Sequence, residues 1–369
     1  MLKVVQISFH ADPAERAAED LLNAWPTVVE LAESAAAAGA SVQVLQASRR
    51  PDQLRRGGID YRFLPMAKRR DRLALLQLLQ DDPPDLLHLQ GLGFPAQASW
   101  LATELPGRPL LLQDRADQPA RRWWRHLQSR RALASARGLL FCSREQAVPW
   151  QRQGLLKPPT RIYELPGSSS RFGVSDRLQA RGATGLVGDP ALLWVAHLDA
   201  NKDPLTVLDG LALASEQLPG LKLWCCFDRA PLLEQVQARI AGDSRLAGRV
   251  QLLGRLPHAE IERWMNAADF LVQGSQREST GYSVIEALAC GLPLLVTDIP
   301  AFRALAGPEP VGRLWRAGDP YALHAALLAL AGRPPSALRQ AARQRFESEL
   351  SPQALGRRLV SIYEDLLLP

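Results

Sequence analysis

Short, nearly continuous apolar runs alternate with segments of helical spacing along most of the chain. The runs have strand length and occupy residues 4–9, 42–46, 61–64, 86–89, 110–112 and 139–142. Between them lie Ala/Leu/Arg-rich stretches whose apolar residues recur at helical spacing, such as 25–38 and 73–80. A Pro/Gly/Ser stretch at 165–176 and a glycine-rich stretch at 181–190 interrupt the pattern. It restarts with apolar runs at 192–198, 221–227, 250–253, 270–273, 294–297 and 312–315, separated by helical segments at 204–216, 231–241, 258–267 and 282–290. Runs that are apolar on both faces predict parallel strands covered by helices on both sides. The expected fold class is therefore α/β, with two doubly wound parallel-sheet domains that bind ligands beyond the carboxyl ends of their strands. The domains are placed at 1–170 and 171–350, followed by an amphipathic helix within 351–369 that the second sheet does not need.

Composition narrows the class. The 369 residues are 47% hydrophobic and 22% charged, which is the balance of a globular chain. No apolar run approaches the ~18 residues of a membrane span, and residues 1–10 read as a strand and not as a signal peptide. Cys142, Cys225, Cys226 and Cys290 sit in apolar contexts without a C-x-x-C pair. They read as reduced core residues of a cytoplasmic protein. The net charge is +6, carried mainly by arginine in clusters at 49–50, 55–56, 68–70 and 121–131, the last with Trp123 and Trp124. No nucleic-acid-binding signature accompanies them. Solvated faces are the default, and peripheral association with a membrane surface is the expected functional use.

Candidate chemistry concentrates in the second half. The stretch 276–298 reads as a loop, a short helix, a turn at Gly291-Leu292-Pro293 and a buried strand. Glu278 lies in the loop and Glu286 one turn into the helix, so both can face a cavity at the helix N-terminus, where unpaired N–H groups favour anions. Gly281 permits a close backbone approach. Ser283 and Glu286 also fit a capping box, in which their side chains satisfy each other's backbone. Lys202 falls where a strand ends and Pro204 opens a helix, a junction suited to holding a diphosphate. His197 lies nearer that strand. There is no G-x-G-x-x-G, P-loop lysine motif, G-x-S-x-G or clustered set of metal ligands. No cofactor and no metal are expected, and any bound diphosphate would have to be neutralised by protein cations and helix ends.

Together, residues 194–204, the Leu253-Gly254-Arg255-Leu256-Pro257 turn, and the Glu278-x7-Glu286 pattern followed by Ala289-Cys290-Gly291-Leu292-Pro293 resemble a retaining glycosyltransferase of family 4, most clearly over 138–318. The resemblance implies the GT-B fold, two Rossmann-like domains facing a cleft, with the last helix crossing back to the first. It implies metal-independent transfer of a sugar from a nucleotide-diphosphate sugar to an acceptor hydroxyl with retention of configuration. Glu286 would accept ribose hydroxyls, Glu278 would lie beside the transferred sugar, and Lys202 would pair with the diphosphate. Gly281, Tyr282 and Ser283 would offer backbone N–H groups, Arg255 and Leu256 would border the base, and His88 would correspond to the acceptor-side histidine. The acceptor would be a glycan or a lipid-linked molecule. The chain departs from the family pattern at Ala196-His197, where a glycine and an arginine are usual. It also departs at residues 7–13, where a glycine-rich loop is usual, and near Asp114 and Arg115, where another histidine is common. These departures keep two other readings open: a catalytically degenerate GT-B protein that binds nucleotide sugar or glycan, and a nucleotide-sugar epimerase.

Overall fold

The structure, a computed structural model, describes residues 1–115, 117–119, 123–156, 160–333 and 335–368. These residues group into two units, 1–169 with 352–368, and 170–351. Arg121 and Arg122 of the last basic cluster lie outside the described residues.

Unit 1 is built on an eight-stranded sheet. Its strands are β1 (Lys3–Ser8), β2 (Ser41–Ala47), β3 (Asp52–Arg56), β4 (Ile59–Leu64), β5 (Leu86–Gln90), β6 (Leu110–Gln113), β7 (Gly138–Phe141) and β8 (Arg161–Glu164), in the order β3-β4-β2-β1-β5-β6-β7-β8. All neighbours are parallel except β3 against β4. The central strands β5, β6 and β7 are buried along their whole length, which is why they read as unbroken apolar runs. The apolar pattern did not mark β3 and β8. Both are edge strands and are only partly buried. The charged side chains of β3 also protect an edge that could otherwise pair with another chain.

The last helix, Pro352–Leu367, belongs to this unit. Leu355, Leu359, Tyr363 and Leu366 recur on one face and are fully buried, each adding about 1.5–3 kcal/mol of apolar burial. Gly356 lets this helix approach the helix Pro26–Ala37 closely, because a Cβ at this position would collide with the Ser34 carbonyl. Among the described residues no helix is long and apolar enough to cross a membrane.

Unit 2 carries a six-stranded, all-parallel sheet. Its strands are β9 (Ala191–Val195), β10 (Lys222–Cys226), β11 (Val250–Gly254), β12 (Phe270–Gln273), β13 (Leu294–Thr297) and β14 (Gly312–Trp315), in the order β11-β10-β9-β12-β13-β14. The order runs outward in both directions from the β9/β12 pair. That pair is the topological switch point, where connections diverge to opposite sides and leave a crevice at the strand ends. The apolar run at 192–198 overreaches β9 by three residues, and those three begin the loop that carries Lys202.

Candidate active site in the second unit

The site grows out of the two strands at the switch point. β9 ends at Val195, and the loop to the next helix folds into a tight turn around Asp199. Its backbone carbonyl and Oδ1 accept the Lys202 N–H at 3.1 and 3.0 Å. Asp203 takes a left-handed conformation (φ 53°) and caps the helix Pro204–Ala214 by accepting from Thr206 N at 3.3 Å. β12 ends at Gln273, and Gly274 follows. A Cβ on Gly274 would lie 2.8 Å from the Lys202 carbonyl and 2.9 Å from that of Asp203, so glycine is what allows the two loops to touch. Hydrogen bonds then join them: Gln276 N to Asn201 O (2.7 Å), Asn201 Nδ2 to Arg277 O (3.1 Å) and Gln276 Nε2 to Asp203 Oδ2 (2.8 Å).

This junction brings Lys202 and Glu278 together as an ion pair, with Ser275 Oγ also donating to Glu278 Oε1 at 2.8 Å. Both side chains are largely buried. Burial strengthens such a pair and penalises the loss of either partner.

The helix Tyr282–Ala289 begins at Gly281, which sits at φ 79° with no side-chain cap. Its missing Cβ accommodates the Phe302 ring, 2.7 Å from where that atom would be. The capping box is not formed. Ser283 lies inside the helix and accepts from Gln273 Nε2 at 3.3 Å, while Glu286 turns to His258, whose Nε2 bonds Glu286 Oε1. Glu286 is 3% exposed. The His258 ring neighbours Phe172 (centroids 4.8 Å apart) and Tyr282 (6.2 Å, 22° between planes).

A cavity of about 400 Å³ joins these groups. It is lined by nine of the sequence-derived residues, Lys202, Glu278, Glu286, His197, Arg255, Leu256, Gly281, Tyr282 and Ser283, together with His258, Asp228 and Phe227. His197 Nδ1 accepts from Arg229 N at 3.3 Å. Partial burial and the neighbouring Arg229 charge hold this imidazole below its usual pKa, so at neutral pH it offers an uncharged ring at the position where the family pattern usually has an arginine. Arg255 is exposed at the rim, 3.8 Å from Asp228. Among the described residues no group of three His, Cys, Asp or Glu side chains is arranged to hold a metal ion.

The structure places His88 elsewhere. It is on β5 in unit 1, 0% exposed, with Nδ1 2.8 Å from Tyr363 Oη of the last helix. Burial, reinforced by the Arg115 charge, pushes its pKa down to about 3, so it is a neutral, buried histidine that meets the last helix and does not line the cavity of unit 2. Arg115 does not face an open site either. Its Nε and Nη2 donate to Gln90 Oε1 at 2.9 and 2.6 Å, and its Nη1 donates to Gly167 O at 3.1 Å. Burial lowers its pKa to about 10, which leaves it charged at neutral pH.

Sequence reading passed over His258. It directly follows the Arg255-Leu256-Pro257 turn assigned to the base, and that position was the available signal. Its pairing with a carboxylate 28 residues onward is visible only once the chain is folded.

Two α/β units built on mainly parallel sheets, the second with a cavity at its switch point, define a GT-B protein. Two family models match: one described as Glycosyl transferases group 1 over residues 189–333, the other as Glycosyl transferase 4-like domain over 24–166. The chain belongs to this family of group 1, family-4-like glycosyltransferases. Among curated relatives it is 29% identical over 189 residues to a phosphatidyl-myo-inositol mannosyltransferase of Mycobacterium leprae, covering 49% of this chain and 46% of that one. It is 28% identical over 225 residues to a D-inositol 3-phosphate glycosyltransferase of Thermobispora bispora, covering 57% and 52%. The chain thus spans about half the length of the curated relatives it matches. Solved structures with the same fold include sucrose-phosphate synthase from Thermosynechococcus elongatus (TM-score 0.72, 20% identity, 99% of both chains). Anabaena HepE in complex with UDP is another (TM-score 0.72, 14% identity, 99% of this chain and 100% of that one).

Proposed function

We propose that this chain transfers a sugar from a nucleotide-diphosphate sugar to an acceptor hydroxyl, with retention of configuration and without a metal ion. The observation that carries the proposal is the convergence of Lys202, Glu278 and Glu286 on one cavity at the switch point of unit 2. Each has a distinct chemical task there. Lys202 supplies a fixed positive charge where a diphosphate leaving group develops negative charge. Glu278, anchored by Ser275, accepts hydroxyls of the transferred sugar. Glu286 accepts the ribose hydroxyls, and Gly281, Tyr282 and Ser283 present the helix N-terminus to phosphate. Arg255 and Leu256 border the base. No residue of the cavity is placed as an obvious general base, which suits a reaction in which the departing phosphate takes the acceptor proton.

The test is a panel of UDP-, GDP-, ADP- and TDP-sugars, with and without EDTA, read as nucleotide release. UDP-glucose is the first donor to try, since Anabaena HepE binds it. Release with at least one donor should survive EDTA. In Glu286→Ala, kcat/KM should fall about 10- to 100-fold, the worth of a hydrogen bond to a charged group. Binding without turnover across acceptors would point to a degenerate protein, and interconversion of donors without release would point to an epimerase.

The acceptor is proposed to be a glycan or a lipid-linked molecule met at a membrane surface. The helix Trp123–Ser135 supports this: it exposes Trp124 and Leu127, with Arg125 stacked 5.1 Å over the Trp124 ring. Co-sedimentation with anionic vesicles should weaken as salt rises and should drop in a Trp124→Ala, Leu127→Ala double variant. Binding indifferent to both would exclude this surface.

A further inference from the structure

The pairing of His258 with Glu286 has no counterpart in the motif that identified the site. Glu286 is nearly inaccessible, and a buried carboxylate is costly unless a donor meets it. A carboxylate can only accept hydrogen bonds, so the His258 ring must present Nε2–H to Oε1. His258 itself is 59% exposed and stands at the first position of the helix His258–Ala267, where a polar side chain needs no such partner for folding. Two rings neighbour it: Phe172, with centroids 4.8 Å apart, and Tyr282, the first residue of the helix that carries Glu286, at 6.2 Å. The imidazole thus packs beside aromatic neighbours, and the carboxylate is carried on a helix. Two charged neighbours have other engagements. Glu262, one turn along the same helix, accepts from Gly173 N at 2.7 Å, and Arg255 lies toward Asp228.

We propose that His258 is the positioning residue of the nucleoside end of this site: it fixes the Glu286 carboxylate in the orientation that accepts a ribose diol and so makes the site selective for ribonucleoside over 2′-deoxyribonucleoside diphosphates. The inference rests on the donor-site reading given above. A carboxylate has about four acceptor positions, more than the imidazole contact uses. A carboxylate fixed before the ligand arrives spares the ordering cost that a mobile one would pay on binding. A pocket built around a hydroxyl discriminates strongly against a ligand that lacks it, because its polar group is then left badly paired.

The experiment is titration calorimetry of the full chain with UDP, GDP and ADP and with their 2′-deoxy counterparts. It compares the unaltered protein with His258→Phe and His258→Gln. Phenylalanine keeps a ring beside Phe172 and Tyr282 but has no N–H, whereas glutamine keeps a donor and loses the ring. The expected result is a roughly tenfold loss of affinity for the preferred ribonucleotide in His258→Phe, little change for its deoxy analogue, and substantial recovery of the ribo/deoxy ratio in His258→Gln. An unchanged ratio in His258→Phe, or a His258→Gln ratio no better than that of His258→Phe, would overturn the role of His258 while leaving the donor site intact. Failure of the unaltered protein to bind any of the nucleotides would overturn the donor-site reading and this inference with it. Thermal unfolding of each variant confirms that the compared proteins are folded.

Discussion

Lys202→Ala is expected to lower kcat/KM for the donor sugar by about 10²- to 10³-fold, the usual effect of removing one preorganised group that stabilises developing charge. Two features of the structure put the effect at that level. The ammonium is held at the switch point by a turn that Asp199 and Asp203 both pin, so it does not have to be recruited from solvent. Its partner Glu278 is as buried as the lysine, so alanine leaves an uncompensated carboxylate in the cavity that a diphosphate must enter. Substrate binding and the chemical step should therefore both suffer, with KM raised as well as kcat lowered.

The neighbouring His197 cannot make up the loss, because its ring is held uncharged at neutral pH. Glu278→Gln in the Lys202→Ala background should recover part of the binding, since it removes the stranded charge. The two substitutions should therefore be clearly non-additive. Steady-state kinetics of the two single variants and the double variant would show this. A Lys202→Ala protein with full activity would remove Lys202 from the reaction, and strictly additive losses would show that Lys202 and Glu278 do not act as a pair.

That lysine was legible in the sequence for a physical reason. A strand run that breaks into a polar loop before Pro204 locates a strand-to-helix junction, and in a parallel sheet such junctions share one edge. Glu278 and Glu286 were legible on the same ground. How they are held was not. The Ser283/Glu286 spacing suggested a capping box, which would start the helix at Val284, but the helix starts two residues earlier, at Tyr282, after Gly281 adopts a left-handed conformation. That shift puts Ser283 inside the helix, and Glu286 pairs with His258. The edge strands β3 and β8 escaped the apolar pattern because an edge needs to bury little: Asp52–Arg56 has one apolar residue in five. His88 was ambiguous for a third reason. A histidine near the end of a buried strand looks the same in sequence whether a cavity or a helix lies over it, and here the covering residue is Tyr363, 275 positions away.

The burial of His88 carries its own consequence for stability. The ring is neutral in the folded chain, with a pKa near 3 against 6.5 for an exposed histidine. Between those values the unfolded chain binds a proton that the folded chain refuses, so stability rises with pH across this window and is lost as pH falls. The sign is opposite to that of a histidine paired with a carboxylate. Burial is the main reason the ring resists protonation, and it outweighs a hydrogen bond with Gln113 that favours the charged form. Arg115 places a second positive charge nearby, and Gln6 Nε2 donates to Tyr363 Oη at 3.2 Å, leaving that hydroxyl's own proton to go to His88 Nδ1, which a protonated ring could not accept. Each pH unit below about 6.5 should therefore cost about 1.4 kcal/mol from this group alone. The loss falls on the contact that holds the last helix against its sheet. Denaturant unfolding of the full chain from pH 7.5 to 4.5 should show unit 1 weakening steeply, with detachment of Pro352–Leu367 as the first step. His88→Gln, which cannot titrate but can still meet Tyr363, should be somewhat less stable at pH 7.5 and should lose less on acidification, by close to one proton's worth of slope. Parallel slopes for the two proteins would show that His88 is protonated without penalty and that the acid sensitivity of the fold lies elsewhere.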